Sequence, residues 1–531
     1  MISRSQYDTH KPKELRRLYE PLAVLYELTM KDATKPRSIF STNTHGISIM
    51  ERRRNFVDAI AFIGAYRKEC EIAVAVERQP DGLIVRVAGT GDIDGIVVPF
   101  LSELLHRLSN IVNLPKDEIK GDKKKRILSS LSDVAIEFAK EKVFAHYMKL
   151  LHGDIAPVCL ADMAMGLNGT RNYCLVLIHI ENTDMSMEAH VDSVDFNVWF
   201  QKNFYKNGAP LTQEHMRPLA KECFNASRSG LLNPLRRFIC HGYEHAAHFE
   251  KFYKQLRKLS RTIDMTSQLF ESAISLRQDF ANDLAVQSIP SSPNLPIPLL
   301  PRKLTIEGIA GRIFSDASKG DDFRQKLEVI APPGLTQALK HYSKTVLTEV
   351  HPELLVINYF DTLLDGGFID EGDKYIGCTK PSCYLCHLFI SYHPARYAMI
   401  SSSSRMCLNW RLPDISREEC NAMARAENQK YVLQKLINTI RIQLEEKVDN
   451  QWALQPHCTE SETEWTPPVD DDIFNYSSQI SSLELTPGYP VASTEPLTTE
   501  FDTGSDETSG AGRNADQDTE DVVLFKGRCR F

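Results

Sequence analysis

The pattern of apolar and polar positions in the first part of the chain predicts a helix followed by a β-hairpin. Apolar residues recur at helical spacing between residues 50 and 66. Segments 71–77 and 83–88 then alternate larger apolar residues with alanines, and the Pro-Asp-Gly sequence between them is typical of a tight turn. Because both faces of these segments are mostly apolar, we expect a buried hairpin in the centre of a sheet.

Helical periods dominate much of the remaining chain. The clearest of them lie at 14–30, 97–114, 127–151, 213–224, 243–279 and 416–448. An apolar run at 173–180 predicts one further strand. The region between 96 and 282 is therefore expected to be mainly helical.

A basic run, Lys120-Gly-Asp-Lys-Lys-Lys-Arg126, lies between two of these predicted helices. Its default interpretation is a solvated linker, because runs of like charge favour exposure to water. A signal for nuclear import or phosphate binding is the alternative interpretation.

Changes in composition divide the chain into six segments. Five prolines between 288 and 303 favour a linker over a helix or a central strand. The end of the chain is rich in Ser, Thr, Asp, Glu and Pro and poor in aliphatic residues, which predicts disorder. The predicted order is a polar segment 1–46, a helix with a hairpin 50–90, a mainly helical domain or insertion 91–287, the linker 288–303, a domain 304–450 and an acidic tail 459–531.

The net charge of −8 is distributed unevenly along the chain. Residues 460–531 contain 16 acidic and 4 basic side chains, so the rest of the chain has a net charge of +4. A weakly basic body neither requires nor excludes a nucleic-acid partner.

The composition is that of an ordinary globular protein, with 42% hydrophobic and 25% charged residues. No apolar run approaches the roughly 20 residues that cross a bilayer, and the first residues lack the apolar part of a secretory signal. The twelve cysteines are therefore expected to be reduced thiols. We expect an intracellular protein, cytoplasmic or nuclear, without a membrane partner.

The candidate chemistry lies in two short motifs, His351-Pro352-Glu353 and Cys383-Tyr-Leu-Cys386. One imidazole and two thiolates can bind Zn²⁺ and leave its fourth position open for water, and a nearby carboxylate can move protons for that water. The first motif is weak evidence alone, because His248-Phe-Glu250 has the same form. The alternative interpretation is a surface histidine and two buried core thiols.

The local sequence predicts that each motif begins a helix. Pro352 suits the first helical position, where a missing N–H has no cost, and His351 then caps the helix. We expect this helix to end at Asp365-Gly366-Gly367.

The second motif is expected to open a helix that Pro394 stops. Cys383 and Cys386 then share one helical face, and the helix N-terminus favours their thiolate form. A short strand at 374–378 lies between the motifs. The two helix starts are therefore expected to face one another across a strand.

These motifs carry a resemblance to a known family. The chain resembles the zinc-dependent deaminase superfamily, which acts on nucleobases, nucleosides or nucleic acids. More closely, it is similar to a fungal expansion of divergent deaminase domains related to bacterial toxin deaminases. The resemblance lies in VHPE at 350–353, YIGCTKPSCYLC at 375–386 and WRLP at 410–413.

The resemblance implies a cytidine-deaminase-like, three-layer α/β fold with a central mixed sheet and helices on both faces. In that family a helix and a hairpin precede the H-x-E helix, which a strand and the C-x-x-C helix follow. Here residues 50–88 provide the helix and hairpin far upstream. We therefore expect one split fold, with a large, mainly helical insertion from 89 to about 348 and a disordered C-terminal tail.

By the same resemblance, His351, Cys383 and Cys386 bind Zn²⁺, which lowers the pKa of a bound water to about 7. The resulting hydroxide attacks the amine-bearing carbon of a cytosine-like or adenine-like ring, and Glu353 moves the protons. Cys378 is a reserve ligand, and a core cysteine at a strand end is the alternative for it. The implied reaction is of the C-to-U or A-to-I type.

Three positions depart from the family pattern. Pro352 has no N–H to offer a substrate, and Ser382 separates Pro381 from the first ligand cysteine. Gly89 stands where relatives often have an asparagine that contacts ribose. These departures leave the ligand set intact and change the expected contacts with the substrate.

Two rival functions remain open. One is a catalytically inactive, zinc-stabilised interaction protein with the deaminase fold. The other is a zinc metallopeptidase, because His241-Gly-Tyr-Glu244-His245 matches the H-x-x-E-H signature. Gly242 weakens that predicted helix, and the sequence identifies no third ligand for it.

Overall fold

We analysed a computed structural model of the chain, which has an α/β fold with many helices. The structure describes residues 12–30, 48–153, 155–167, 185–240, 245–280, 284–363, 367–399, 402–403, 405–416 and 421–454. Several predictions concern residues outside these ranges: the strand at 173–180, the acidic tail, and His241 and Glu244 of the rival motif.

Helices account for most of the described residues, and short 3₁₀ or π turns precede some of them. The helices are α1 (Pro12–Met30), α2 (Ile49–Gly64), α3 (Val98–Val112), α4 (Gly121–Phe138), α5 (Lys140–Leu151), α6 (Ile155–Leu167), α7 (Met185–Phe204), α8 (Met216–Arg228), α9 (Asn233–Cys240), α10 (Ala246–Ser275), α11 (Ile306–Ile313), α12 (Ala317–Ile330), α13 (Leu335–Thr345), α14 (Pro352–Phe360), α15 (Tyr384–Tyr392) and α16 (Ala422–Ala453). None of the described helices combines the length and the apolar character that crossing a bilayer requires.

The described strands are shorter and form one four-stranded sheet and two small ribbons. They are β1 (Ile72–Gln79), β2 (Gly82–Gly89), β3 (Tyr205–Lys206), β4 (Ala209–Pro210), β5 (Leu284–Ser288), β6 (Leu295–Pro296), β7 (Leu347–Thr348) and β8 (Gly377–Cys378).

The predicted hairpin is confirmed as β1 and β2, joined by a two-residue turn at Pro80 and Asp81. Val74 pairs with Val87, so the larger apolar side chains of both strands lie on one face. Six of the eight residues of β1 are buried. The burial follows from the position of the hairpin, because β1 and β2 are the two inner strands of the sheet.

The outer strands of this sheet come from remote parts of the chain. β5 pairs in parallel with β2, and β8 pairs antiparallel with β1 through Ala73–Cys378 and Val74–Gly377. The order is therefore β5-β2-β1-β8, a mixed sheet. Composition placed a boundary between the helical region and the linker at residue 287, and β5 lies across that boundary. Leu284, Val286 and Ser288 of β5 belong to the sheet and not to the helical region.

The two faces of the sheet pack against different helices. Ile72, Val74 and Val76 of β1 face α2 and the end of α10 in one apolar cluster. The alanines of the hairpin face α14 and α15 in another cluster, where their small side chains allow close approach. The sheet therefore has helices on both faces.

Helix α2 fixes the hairpin relative to β8. Its start is closed by a capping box, in which Ser48 accepts from the N–H of Glu51 and the Glu51 carboxylate accepts from the N–H of Ser48. Further along, α2 passes so close to Gly377 that a Cβ there would lie 2.8 Å from the backbone of Val57. Only glycine fits this crossing.

The helices between β2 and β5 have a core of their own. Aromatic residues of α7, α9 and α10 pack there with α5, α6 and α8. The 30-residue α10 belongs to both cores, because Phe252 and Leu256 lie in the helical core whereas Leu269 and Phe270 pack against the sheet layer. A continuous helix therefore joins the two regions.

Two predictions in this region need correction. The basic run at 120–126 was expected to be a solvated linker, but α4 begins at Gly121 and includes most of it. Lysine and arginine are good helix formers, and Lys123 and Lys124 reach Glu118 and Glu271. The segment 127–151 was predicted to be a single helix. It belongs to two helices, because the helical conformation is interrupted at Ala139 between α4 and α5.

The proline-rich segment, residues 288–303, packs closely against the apolar cluster that contains α14 and α15. Ile289 extends the sheet, because its N–H donates to the carbonyl of Val87 at 2.7 Å. Leu295 and Pro296 form β6 and pair with β7, while Ile297 and Leu299 are buried. This segment therefore leads the chain directly towards the residues that precede His351.

Helices α1 and α16 cover the outer side of the same cluster. Both bury long apolar stripes there, including Leu18 and Leu22 of α1 and Leu436 and Ile440 of α16. The predicted helices at 14–30 and 416–448 are confirmed as these two elements.

Candidate metal centre

The start of α14 positions His351 and Glu353. Pro352 occupies the first helical position and His351 is the N-cap, as predicted. The helix ends at Phe360, five residues before the start of the Asp365-Gly366-Gly367 sequence at which its end was expected. The predicted position of the helix end was wrong. The C-cap is Asp361, which has αR backbone angles, so the helix ends without the glycine on which the prediction relied.

The start of α15 positions the two cysteines of the second motif. Cys383 is the N-cap, and its sulfur accepts a hydrogen bond from the N–H of Cys386 at 3.4 Å. The helix ends at Tyr392, just before Pro394, as predicted. Both sulfurs therefore lie at a helix N-terminus, where free N–H groups favour negative charge.

These two helix starts meet. The Nδ1 atom of His351 lies 3.5 Å from Sγ of Cys383 and 3.4 Å from Sγ of Cys386. Tetrahedral zinc with Zn–S bonds of 2.3 Å and Zn–N bonds of 2.0–2.1 Å holds such atoms about 3.5 Å apart. The separations of the His351 nitrogen from the two sulfurs therefore fit a shared zinc ion, although 31 residues lie between His351 and Cys383. Cys383 and Cys386 belong to two different clusters of potential metal ligands, and His351 is the residue that the clusters share.

Glu353 lies beside this group. One of its carboxylate oxygens, a ring nitrogen of His351 and the sulfur of Cys386 are all within 4.8 Å of one another. His351 and Glu353 are only 6% and 7% exposed, and Cys386 is fully buried. A buried carboxylate next to two candidate metal donors is the arrangement that proton transfer beside a metal requires.

A chain of hydrogen bonds supports Cys386 from the opposite side. The indole N–H of Trp410 donates to Sγ of Cys386 at 3.2 Å. The hydroxyl of Tyr19 in α1 donates in turn to the carbonyl of Trp410 at 2.6 Å. Outer partners of this kind orient metal ligands. No pattern in the sequence indicated that α1 takes part in the site.

A third thiol, Cys407, lies in the same cluster. Its sulfur, a ring nitrogen of His351 and the sulfur of Cys383 are within 4.8 Å of one another. No spacing pattern predicts this residue, because Cys407 follows Cys386 by 21 residues, a separation that matches no metal-ligand motif. Only the folded chain identifies it.

The Cys383 thiol interacts with both of the others. Its hydrogen bond to Cys386, followed by burial, raises the pKa of the Cys383 thiol, and burial raises that of Cys386. A hydrogen bond with Cys383, followed by burial, raises the pKa of Cys407. A coordinated cation reverses this preference, since coordination deprotonates a thiol outright.

Cys378, the reserve ligand, belongs to neither cluster found among the described residues. It ends β8, opposite Ala73, and burial together with the Glu353 carboxylate holds the pKa of its thiol well above the ordinary value. Its position is that of a core cysteine at a strand end.

The departures from the family pattern have clear local causes. A Cβ at position 89 would lie 2.7 Å from the carbonyl oxygen of Glu71 and 2.8 Å from Cδ1 of Ile93, so no side chain fits there. The extra residue Ser382 makes a backbone hydrogen bond, in which its carbonyl accepts from the N–H of Ser403 at 2.8 Å. Position 89 therefore cannot hold the asparagine that the resemblance led us to look for there.

The rival peptidase motif contributes one described residue. His245 caps α10 instead of lying inside a helix, and its ring contacts that of His248 at a centroid distance of 5.6 Å. Both metal-type clusters among the described residues contain His351, and neither contains His245 or His248.

Comparison with known proteins places the site within a family match. The family described as OTT_1508-like deaminase matches residues 350–414. No curated protein and no solved structure matches the chain. The matched residues include His351, Glu353 and all three clustered thiols. This region is therefore related to the deaminase superfamily, as the sequence indicated.

Proposed function

We propose that the protein is a zinc-dependent hydrolytic deaminase acting on a nucleobase, a nucleoside or a base in nucleic acid. The observation that carries this proposal is the position of Glu353 next to His351 and Cys386. All three residues lie in the segment that matches a deaminase family. The reaction would be of the C-to-U or A-to-I type.

In this proposal His351, Cys383 and Cys386 hold the metal. The distances from the His351 nitrogen to the two sulfurs support this ligand set, and imidazole and thiolate are donors that zinc prefers. A zinc ion bound there supplies a water that is acidic enough to react near neutral pH.

Glu353 acts as the general acid and base. Its carboxylate takes the proton of the attacking water and passes it to the ring nitrogen of the substrate base. Because Glu353 is nearly excluded from solvent, a proton that it takes up stays in the site. Glu353 then carries the remaining proton of the added water to the amine, which leaves as ammonia while the ring carbon keeps the oxygen as a carbonyl.

We further infer that residues 49–89 and 350–414 form one split, cytidine-deaminase-like fold of the divergent type found in fungi and bacterial toxins. The pairing of β1 with β8 supports this inference, because the hairpin lies beside the strand that joins the two motif helices. The order α2, β1, β2, α14, β8, α15 also follows the family order. The helices between residues 93 and 280 are then an insertion at the end of β2.

Ammonia release on a broad substrate panel tests the function. The panel contains cytosine, adenine, cytidine, adenosine, single-stranded DNA and single-stranded RNA, each incubated with the full chain. We expect one of these classes to release ammonia. Glu353→Gln should lower that rate by about 10²–10⁴-fold, the usual contribution of a general acid–base group.

The matched control is Glu349→Gln, which changes a carboxylate four residues away. The Glu349 side chain binds the amide of Asn409, outside both metal-type clusters. Zinc content has to be measured in all three proteins. A Glu353→Gln protein that keeps both zinc and full activity would contradict the mechanism. Zinc without activity on any class would favour the inactive interaction protein instead.

A further inference from the structure

The third thiol of the cluster has no part in the mechanism above. Cys407 is partly buried, and its sulfur lies within 4.8 Å of donor atoms of both His351 and Cys383. Since both of these residues are candidate ligands, the Cys407 sulfur borders the position that a metal ion would occupy.

The backbone around Cys407 is attached to both motif helices. On one side, the carbonyl of Arg405 accepts from the N–H of Tyr384, the first residue of α15, at 2.9 Å. On the other side, the N–H of Glu349 donates to the carbonyl of Asn409 at 2.5 Å, and the carbonyl of Glu349 accepts from the N–H of Arg411 at 2.9 Å. Cys407 is thus held between the segment leading to His351 and the start of α15.

The next residues anchor the segment in the core. Trp410 is fully buried, and its indole N–H donates to the Cys386 sulfur. The N–H of Trp410 itself donates to the carbonyl of Cys407 at 3.4 Å, closing a turn. The turn keeps Cys407 next to Cys383, the first thiol of the C-x-x-C motif.

We propose that Cys407 is the fourth ligand of the metal, so that the resting site is His351, Cys383, Cys386 and Cys407. This inference rests on one part of the proposed function, the binding of a metal ion at His351, Cys383 and Cys386. It does not depend on deaminase activity. One histidine and three cysteines form a frequent ligand set of structural zinc sites, which are closed to water. Catalytic sites keep three protein ligands and one open position.

The proposal changes what the protein needs for activity. While the Cys407 thiolate occupies the fourth position, Glu353 has no water to deprotonate. A substrate, or a movement of the segment around Cys407, has to displace this thiolate before hydrolysis. Cys407 is therefore a residue that controls access to the metal, and the resting enzyme is latent.

X-ray absorption at the zinc edge tests the ligand set in the full chain. We expect three sulfurs and one nitrogen around zinc in the wild-type protein, and two sulfurs in Cys407→Ala. After cobalt substitution, the thiolate-to-cobalt absorption should fall by about one third in the variant, because two thiolates remain of three. The matched control is Cys378→Ala, which should keep three sulfurs.

The outcomes separate this proposal from the proposed function. Two sulfurs in the wild-type protein would overturn the role of Cys407 and leave the deaminase proposal intact. No bound metal in the wild-type protein would overturn both. Three sulfurs without ammonia release from either protein would establish the closed site and reject the deaminase. If Cys407→Ala fails to fold, the wild-type sulfur count decides alone.

A rate measurement gives a second readout. Cys407→Ala should release ammonia faster than the wild-type protein, because the position for water is then open. A rate equal to that of the wild-type protein, with three sulfurs in the wild type, would show that displacement of Cys407 does not limit the reaction.

Discussion

Two groups of buried cysteines in the same chain illustrate how a site differs from a core. Cys159 and Cys223 in the helical region are as inaccessible as Cys386 at the metal centre. Burial raises the pKa of the thiol in all three, to about 12 for Cys159. Burial alone therefore does not distinguish a candidate ligand from a packing residue.

The difference lies in where the residues sit on their helices. Cys159 and Cys223 lie inside α6 and α8, where the helix uses its own N–H groups, and their neighbours are apolar. Cys383 precedes α15 and accepts from a free N–H of its first turn. A helix start offers unused donors, so it can stabilise a thiolate that a helix interior cannot. Two helix starts that meet therefore form a site.

The largest effect expected from this comparison concerns metal binding. Cys386→Ala should weaken zinc binding by about 100-fold or more, since loss of a direct ligand exceeds the 10–100-fold typical of outer partners. Cys223→Ala should keep full zinc content and lose about 1–2 kcal/mol of stability through its small cavity. Zinc per chain after dialysis against a chelator, with thermal unfolding, measures both. Equal zinc loss in the two variants would show that Cys386 is no more a metal ligand than Cys223 is.

A smaller effect is expected from the indole that supports Cys386. Trp410→Phe removes the N–H that donates to the Cys386 sulfur and should weaken zinc binding by about 10–100-fold. Tyr19→Phe is the matched control, because it removes only the hydrogen bond to the Trp410 carbonyl. It should cost about 1 kcal/mol of stability and weaken zinc binding less than Trp410→Phe does, because Tyr19 contacts the carbonyl of Trp410 and not a candidate ligand. Equal affinities in both variants would assign Trp410 a packing role only.

The smallest effect, when counted for one pH unit, is a pH dependence of stability where the two regions meet. Lys142 of α5 donates to the carbonyl of Phe62 in α2 at 2.9 Å. Burial, followed by the charge of Arg261, lowers the pKa of Lys142 to about 7, against about 10.4 in an unfolded chain. Between these values the unfolded state binds more protons, so stability rises with pH.

Lys142→Met tests this pH dependence. The wild-type protein should gain at most about 1.4 kcal/mol per pH unit between pH 7 and 10, and the variant should lose this gain. Unfolding in denaturant at a series of pH values measures it. The same slope in both proteins would assign the pH dependence to other groups.

The sequence predicted the local part of the site well. Pro352 marks the start of one helix, and the spacing of Cys383 and Cys386 marks the start of another. These are short-range signals, because capping and helix propensity depend on a few adjacent residues. The hairpin was predictable for the same reason, since its turn and its alternation lie within 18 residues, 72–89.

The missing parts depend on contacts between remote residues. Cys407, Trp410 and Tyr19 reach the metal centre only through tertiary packing, and no periodicity links them. β5 was missed because its five residues, 284–288, adjoin a proline-rich segment whose composition favours a linker. The early end of α14 was missed because the predicted stop relied on glycines that the helix never reaches.

The pairing of β1 with β8 also has a consequence for synthesis of the chain. About 300 residues separate these strands, so the ribosome translates β1 roughly 15–60 s before β8 at typical elongation rates. During that interval the nascent hairpin lacks the strand that will cover β1, and a two-stranded hairpin alone is only marginally stable. Chaperones that shield exposed strand edges are therefore most needed while the intervening helices emerge.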